Sequence, residues 1–564
     1  MKLNELQEEA KNIVEDSIKN NIKILIVTGE AGSGKTTLIA ELYKKHKPYE
    51  KVFVATLSGR AADVLRKKGV KNARTIQSLI YGKPKFEWWQ RVLIKNSKMK
   101  RSFQERAKKN LFVFDEASMI VDWLDPNDSW RKKNHDLDAI VEFVNSNNDE
   151  KNFLMFVGDE NQLGPPISGR PYDYNFSSCL IPEFWIQKGY KEDEIKYIRM
   201  GESHRQTKDS QILNLSRRMV KTSNLAAPFY DSNSVYKIDK HDIVKQFIKD
   251  YKKDKYSVKI LGYTNELTYE YNRLIRNELF KKKAENKLIK NDTLLVIKNN
   301  YFYEDMDFLN GEYIELVSEP IIEKGNVITL EVPKYDKNGK ITKSYEKVDT
   351  SFDYATVKVK AETNDKLFRA PIYEVKILVD TVDIPDFATS AERRAYENKI
   401  QAWLREDFFV RNPSMLKKLN NAKNSDEKYN REQELQSEYE KDPYFNSLWV
   451  NWGYAVTTHK AQGGEWKNII VDFSFHRSHK FNWAYTSITR AMSKLFLYDY
   501  PIEGLTEEPE YEKFVSQSTF FGKTIEKLLK KRNSSESSDE DSQKILLEKI
   551  ELLEKQIEEL KKTR

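Results

Sequence analysis

Cysteine is almost absent. Cys179 stands alone in 564 residues, which excludes an internal disulfide framework and fits a reducing compartment such as the cytoplasm. Histidine is also scarce, with seven residues scattered without ligand spacing, so no zinc centre is expected. No apolar run approaches the ~20 consecutive residues needed to cross a bilayer. The Met1-Lys-Leu start carries acids at Glu5, Glu8 and Glu9 and no apolar core, which predicts no secretory leader. A large excess of one charge is missing too. Against 95 basic residues stand 87 acidic ones, leaving +8, too little to identify a nucleic-acid binder from charge alone. Aromatic residues are plentiful at 12%, with ten tryptophans. Stacking surfaces beside basic side chains suit single-stranded nucleic acid. A chain of 564 residues exceeds one hydrophobic core and predicts about three to four domains.

Three distant segments carry chemistry. Gly29-Glu-Ala-Gly32-Ser33-Gly34-Lys35-Thr36 follows the apolar run Ile22–Thr28 and precedes the helical stretch Thr37–Lys45. That is the P-loop pattern, a glycine-rich turn whose backbone N–H groups cradle phosphates. Lys35 is placed to reach the β- and γ-phosphates and the Thr36 hydroxyl to ligand Mg²⁺. Leu111-Phe-Val-Phe-Asp115-Glu116 reads as a buried strand ending in two acids. Asp115 would hold Mg²⁺ and Glu116 would polarise an attacking water as general base. A third apolar strand, Phe153–Val157, ends in Gly158-Asp159-Glu-Asn-Gln162-Leu-Gly-Pro165-Pro166. Gln162 is the candidate γ-phosphate sensor, and the prolines fix a non-helical loop. Generic turn chemistry explains the prolines equally well. Far downstream, Tyr485-Thr-Ser-Ile-Thr-Arg490-Ala offers an arginine from a second domain. Such an arginine ties hydrolysis to domain motion and is typically worth about 10³–10⁵ in rate.

The order of these motifs resembles superfamily-1 helicases of the 5′→3′ class, the RecD- and Dda-like group, and the likeness runs through most of the chain. Leu3-Asn-Glu-Leu-Gln7 resembles their adenine-reading motif, adding Gln7 to a nucleotide set of Gly29, Gly32, Ser33, Gly34, Lys35, Thr36 and Thr37. Ala55-Thr56-Leu-Ser-Gly59-Arg60 resembles the first DNA-contact motif. Arg74-Thr75-Ile-Gln77 resembles the next, where relatives often carry histidine in place of Gln77. Glu202-Ser-His-Arg205-Gln resembles the motif that supplies one arginine to the γ-phosphate. Tyr263-Thr264-Asn265, with Asn272 and Arg276, resembles the opening of the second motor domain. Gly453 to Glu465 is the strongest match after the P-loop. The resemblance assigns Thr457, His459 and Lys460 to the DNA strand and Glu465 to the nucleotide sugar, and it adds Asn265 and Pro165 to the strand-facing set.

The implied fold is α/β. Residues 1–82 and 111–190 would form a first RecA-like P-loop domain, with a pin insertion at 83–110 carrying Phe86, Trp88 and Trp89. Those rings would meet the first base pair, or simply anchor the insertion. Residues 195–295 and 446–532 would form a second RecA-like domain. Between them, 296–445 would hold an SH3-like β-barrel, with turn signals at Asn310-Gly311 and Asn338-Gly339, and a charged helical arm poor in apolar anchors. Residues 533–542 are low-complexity and acidic, a disordered linker. Leu546, Ile550, Leu553, Ile557 and Leu560 then form a short heptad seam over 543–564. That helix would self-associate, dock on the body or meet a replication protein.

The resemblance thus implies an ATP- and Mg²⁺-dependent DNA helicase. It would load on single strands, move 5′→3′ and separate tailed or forked duplexes in replication, recombination or repair. A translocase that strips proteins from DNA, or a helicase subunit of a larger DNA-processing complex, are the alternatives. The likeness and the Lys-, Asn-, Ile- and Tyr-rich composition suggest a phage gene acting in the host cytoplasm.

Overall fold

The computed structural model describes residues 3–44, 51–81, 110–122, 136–145, 152–164, 177–200, 210–231, 233–303, 306–335, 341–361, 371–382, 390–421, 425–474 and 481–501. Its first sheet is built from β1 (Ile24–Gly29), β2 (Lys51–Thr56), β3 (Arg74–Thr75), β4 (Asn110–Asp115), β5 (Asn152–Gly158) and β6 (Ile195–Met200) in the order β3-β2-β4-β5-β1-β6. All its pairings are parallel. The apolar runs of β1, β4 and β5 are buried along their whole length, as a sheet covered on both faces requires. One face packs Leu25, Val27, Leu111, Val113, Met155 and Val157. The other packs Ile24, Ile26, Phe112, Phe114, Leu154 and Phe156.

The second sheet is also parallel. It takes β7 (Val235–Lys237), β8 (Val258–Gly262), β17 (Ala455–Thr457), β18 (Trp466–Asp472) and β19 (Ala491–Tyr498) in the order β17-β8-β18-β19-β7. Between β8 and β17 the chain builds an antiparallel sheet from β9 (Thr293–Val296), β10 (Tyr313–Leu316), β11 (Ile321–Glu323), β14 (Tyr354–Ala361), β15 (Ile372–Leu378) and β16 (Val450–Trp452). A separate hairpin joins β12 (Ile328–Tyr335) to β13 (Ile341–Thr350). The antiparallel sheet shares one apolar core with the second parallel sheet, through Val258, Ile260, Leu294, Val296, Ile314, Val357 and Ile377.

Several boundaries differ from those expected. β6 pairs with β1 from Ile24↔Ile195 to Gly29↔Met200, so the strand at 195–200 closes the first sheet and does not open the second. β16 pairs with β9 in the antiparallel sheet, although its sequence fell within the expected second motor domain; β9 straddles the expected boundary at 295/296. The alternation of residues 327–332 predicts a barrel strand, but that run, from Ile328 on, lies in β12, half of the separate hairpin and outside that sheet. Asn310-Gly311 does turn the chain: Gly311 takes φ +93°, a conformation open to glycine. The arm consists of helices Ser390–Arg411, Pro413–Asn420 and Ser425–Lys441. It is better anchored than its charge suggested. Trp403, Leu404, Phe408, Phe409, Leu435 and Tyr439 are buried against Leu330, Phe352 and Tyr354. No helix among the described residues is long and apolar enough to cross a membrane.

Candidate active site

Parallel pairing puts the carboxyl ends of β1, β2, β3, β4 and β5 on one edge. The registers run Thr28↔Gly158, Thr56↔Asp115 and Thr56↔Thr75. Ligands of open parallel sheets bind at that edge. The glycine-rich turn leaves β1 there and enters helix Lys35–Lys44. Gly32 and Gly34 sit at φ +86° and +91°, so the turn needs residues without Cβ atoms. The Lys35 ammonium donates to the carbonyl oxygens of Gly29 at 2.6 Å and Glu30 at 2.9 Å. Thr37 N–H bonds the Gly34 carbonyl at 2.9 Å, setting Thr36 in the helix's first turn.

Gln7 comes to the same turn from helix Glu5–Lys19. Asn4 caps that helix, and the Gln7 amide reciprocates to the Asn4 N–H. Its Nε2 donates to the Ser33 carbonyl at 3.4 Å. A Cβ at Gly34 would lie 2.1 Å from that nitrogen. The adenine-motif residue and the turn are therefore neighbours.

Asp115 closes β4, with Oδ1 accepting the Glu116 N–H at 3.0 Å. Burial first, and then the neighbouring Glu116, push its carboxyl up to about 7. A carboxylate at such a site is stabilised by a cation. Glu116 itself adopts φ 54°, ψ 37°, a left-handed conformation that costs a non-glycine residue about 1–3 kcal/mol. Three buried polar atoms around this edge lack hydrogen-bond partners: Ser33 Oγ, Ser118 Oγ and Gln162 Oε1. A turn of this shape, a lysine donating to its own turn's carbonyls, a buried acid and polar atoms without partners among the described residues fit a phosphate chain with its divalent cation.

The second sheet meets this edge directly. Helix Phe481–Ile488, which precedes β19, lies against the loop after β5. The Tyr485 hydroxyl accepts the Ala31 N–H at 3.2 Å and donates to Asp159 Oδ2 at 3.2 Å. Leu163 N–H donates to Thr486 Oγ1 at 2.9 Å, and Gln462 Nε2 to the Leu163 carbonyl at 2.9 Å. Asn482 Nδ2 reaches the Asn161 carbonyl at 3.0 Å. Gln162 Nε2 donates to Asp159 Oδ2 at 3.1 Å. Sequence reading quoted Asp159, Gln462 and Tyr485 inside their motifs but gave them no role. Asn482 lay just upstream of its motif. Their signal is positional, a polar residue one or two places from a named one.

Arg490 follows that helix and is buried. It donates to the Thr486 carbonyl at 3.0 Å, the Gly464 carbonyl at 3.3 Å and Thr489 Oγ1 at 3.3 Å. Its guanidinium is thus folded into the second sheet's own segment. Glu465 is exposed beside it. Arg205, Pro165, Phe86, Trp88 and Trp89, together with everything after residue 501, lie outside the described residues.

The expected strand-facing residues fall into two facing sets. Thr56 Oγ1 donates to the Ser58 carbonyl at 2.6 Å, and Ser58 caps helix Gly59–Lys67. Thr75 Oγ1 accepts the Ser78 N–H at 3.1 Å, while Gln77 is exposed. Across from them, Gly463 approaches Ala61 so closely that a Cβ would sit 3.5 Å away. Thr457 ends β17, and His459 and Lys460 lie in the short helix Thr458–Ala461 that follows it. The Lys460 ammonium reaches Asn265 Oδ1 at 3.5 Å. Arg60 has a different environment from an open groove. Its guanidinium lies 4.8 Å from the Tyr313 ring and 4.6 Å from the Trp466 ring. One arginine of the first sheet thereby stacks on β10 and β18 together.

Residues 3–237 match the family model of an AAA domain, and residues 453–498 match that of a UvrD-like helicase C-terminal domain. The second match spans Thr457, Lys460, Glu465, Tyr485 and Arg490. The two matches support the resemblance to superfamily-1 helicases. The chain is 23% identical over 516 residues to an uncharacterised protein of Methanocaldococcus jannaschii, covering 88% of this chain and 38% of that protein. It therefore spans about two fifths of that relative's length. It is also 23% identical over 534 residues to an uncharacterised protein of Acanthamoeba polyphaga mimivirus, covering 86% of this chain and 97% of that one. Similar solved structures include a Bacteroides Pif1 helicase in complex with ADP-AlF3 and single-stranded DNA. It is 15% identical, with 91% and 96% of the two chains covered and a TM-score of 0.44. The Pif1 helicase of Candida albicans is 14% identical, with 92% and 100% covered and a TM-score of 0.44.

Proposed function

We propose that this chain is an ATP-driven DNA motor that moves 5′→3′ along single strands and separates tailed or forked duplexes in replication, recombination or repair. One observation carries the reading. The loop Asp159 to Leu163, which ends β5 beside the phosphate-cradling turn, is held by Tyr485, Thr486, Asn482 and Gln462 of the second sheet. A change at the nucleotide edge therefore has a direct mechanical route to the other domain. The helicase C-terminal match over 453–498 supports the same reading.

ATP would be held by Gln7, Gly29, Gly32, Ser33, Gly34, Lys35, Thr36, Thr37 and Glu465. Mg²⁺ would be held by Thr36 and Asp115, where it would neutralise charge between the β- and γ-phosphates. Glu116 would orient the attacking water. Gln162, Arg205 and Arg490 would attend the γ-phosphate. Thr56, Thr75, Gln77, Pro165, Asn265, Thr457, His459 and Lys460 would track the strand, with Phe86, Trp88 and Trp89 at the duplex junction, whereas Gly59 and Arg60, packed on Leu309, Tyr313 and Trp466, would join the domains. The segment 543–564 would recruit a replication protein or a second copy. The motor would work in the cytoplasm.

ATPase measured with and without single-stranded DNA tests this reading. Wild-type turnover should rise with DNA. Lys35→Ala should lose about 10²–10³-fold in turnover while single-strand affinity stays within several-fold. DNA-independent turnover, or undiminished turnover in the variant, would contradict it.

A further inference from the structure

Asp159 Oδ2 accepts two donors from opposite sides of the domain junction. One is Gln162 Nε2 of its own loop, at 3.1 Å; the other is the Tyr485 hydroxyl of the second domain, at 3.2 Å. Asp159 and Tyr485 are both 1% exposed, so water cannot readily substitute for either partner. Tyr485 also reads the phosphate-cradling turn, since its oxygen accepts the Ala31 N–H at 3.2 Å. A phenol has one proton to give, and here the geometry commits it to Asp159. Burial, with the carboxylates of Asp159 and Glu30 close by, holds that hydroxyl protonated far above its ordinary range. Gln162 meanwhile has its amide N–H₂ turned to Asp159 and its Oε1 buried without a partner. An amide in that orientation offers its donor to a carboxylate. An amide nitrogen carries two N–H groups, so with one committed to Asp159 the other can donate to a phosphate oxygen.

We propose that Tyr485 is a positioning residue that sets the orientation of Gln162 through their shared acceptor, Asp159. The inference rests on the reading of this chain as an ATP-driven motor. While Tyr485 holds Asp159 and grips Ala31, the carboxylate is fixed in place and in turn fixes the Gln162 amide, since all three bonds stand together. When the second domain withdraws, Asp159 loses its interdomain donor and Gln162 loses its fixed orientation. Domain closure and readiness for hydrolysis thus become one event at one carboxylate oxygen. Asn482 and Thr486, on the same helix as Tyr485, fix the loop's backbone, so the phenol meets Asp159 at a set distance.

Tyr485→Phe removes the hydroxyl and keeps the ring, which packs beside Phe481. A hydrogen bond to a charged group of this kind corresponds to about ten- to a hundred-fold. The DNA-stimulated kcat should fall by that factor, with KM for ATP, ADP affinity and single-strand affinity within about two-fold. The Ala31 amide of the nucleotide-free protein should exchange hydrogen at least about ten-fold faster. Asp159→Asn should lower kcat similarly, and the double variant should be no worse than the more affected single, because both act through one contact. The proposal is overturned by a Tyr485→Phe kcat within two-fold of wild type, by unchanged Ala31 exchange, or by additive losses accompanied by lowered thermal stability. A wild-type protein without DNA-stimulated hydrolysis would instead remove the motor reading, and this inference with it.

Discussion

Glu116 occupies a left-handed backbone position at the end of a fully buried strand. That strain is sustained where the surrounding structure fixes it, and it aims the side chain off the sheet edge. Glu116→Gln keeps the shape and removes the proposed base, so hydrolysis should fall by about 10²–10⁴-fold while ATP affinity is retained. Rapid-quench turnover and equilibrium nucleotide binding would separate the two effects, and near-normal turnover would refute the assignment. Glu312 supplies a pH test. It accepts the Leu309 N–H at 2.9 Å where helix Gly59–Lys67 meets the antiparallel sheet, and burial pushes its carboxyl from 4.5 up to about 7. The folded state therefore holds this proton more tightly than the unfolded state. Its contribution is fully present below about 4.5 and is lost as pH rises through 7. Glu312→Gln should raise the melting temperature relative to wild type by a margin that grows from pH 5 to pH 8, worth at most about 2–3 kcal/mol. A margin that shrinks over that range would contradict the assigned environment. At this scale the sequence displays self-contained motifs, Gln7 after Asn4 and Lys35 in its glycine-rich turn, but not the partners these side chains take. The stacking of Arg60 was not readable, because the rings it stacks on, Tyr313 and Trp466, lie in two remote segments.

Elements were legible where their pattern is self-contained. The uniformly apolar runs of β1, β4 and β5 announce central parallel strands. β6 alternates exposed and buried residues and carries no mark of which sheet it will join; its pairing with β1 decides that. The short β11 and the polar β13 offered no apolar alternation to read. The arm misled because its buried residues are diluted among charges along three helices. Trp403 shows how the arm is fixed. It is fully buried, donates to the Asn326 carbonyl at 2.9 Å, and crowds Gly325 so closely that a Cβ there would lie 2.6 Å from the ring. Trp403→Ala should destabilise the inserted region by about 3–5 kcal/mol. The nucleotide edge shares no core residue with it, so ATPase should persist within a few-fold. Hydrogen exchange resolved by segment would check this: faster exchange confined to the hairpin and arm is expected, and equal loosening of β1 and β5 would contradict it.

For the whole molecule, the decisive feature is that two parallel sheets meet across a phosphate-cradling turn, with an antiparallel sheet fused to the second. Arg60, Gly59 and Gly463 bring the first sheet's helix against both others; a Cβ at Gly59 would lie 2.0 Å from Leu309 Cβ. A groove crossing both motor domains should contact about four to six phosphates, giving a slope of log affinity against log salt near −3 to −4 for single strands. A flat response would mean that stacking alone holds the strand. The central claim is that ATP use at the first sheet drives directed strand separation. Unwinding of matched duplexes bearing a 5′ or a 3′ single-stranded tail, with wild type and Lys35→Ala side by side, tests it most directly. The account predicts ATP-dependent separation of the 5′-tailed duplex, little of the 3′-tailed one, and none by the variant. Separation that ignores the tail, prefers the 3′ tail or survives Lys35→Ala would contradict it.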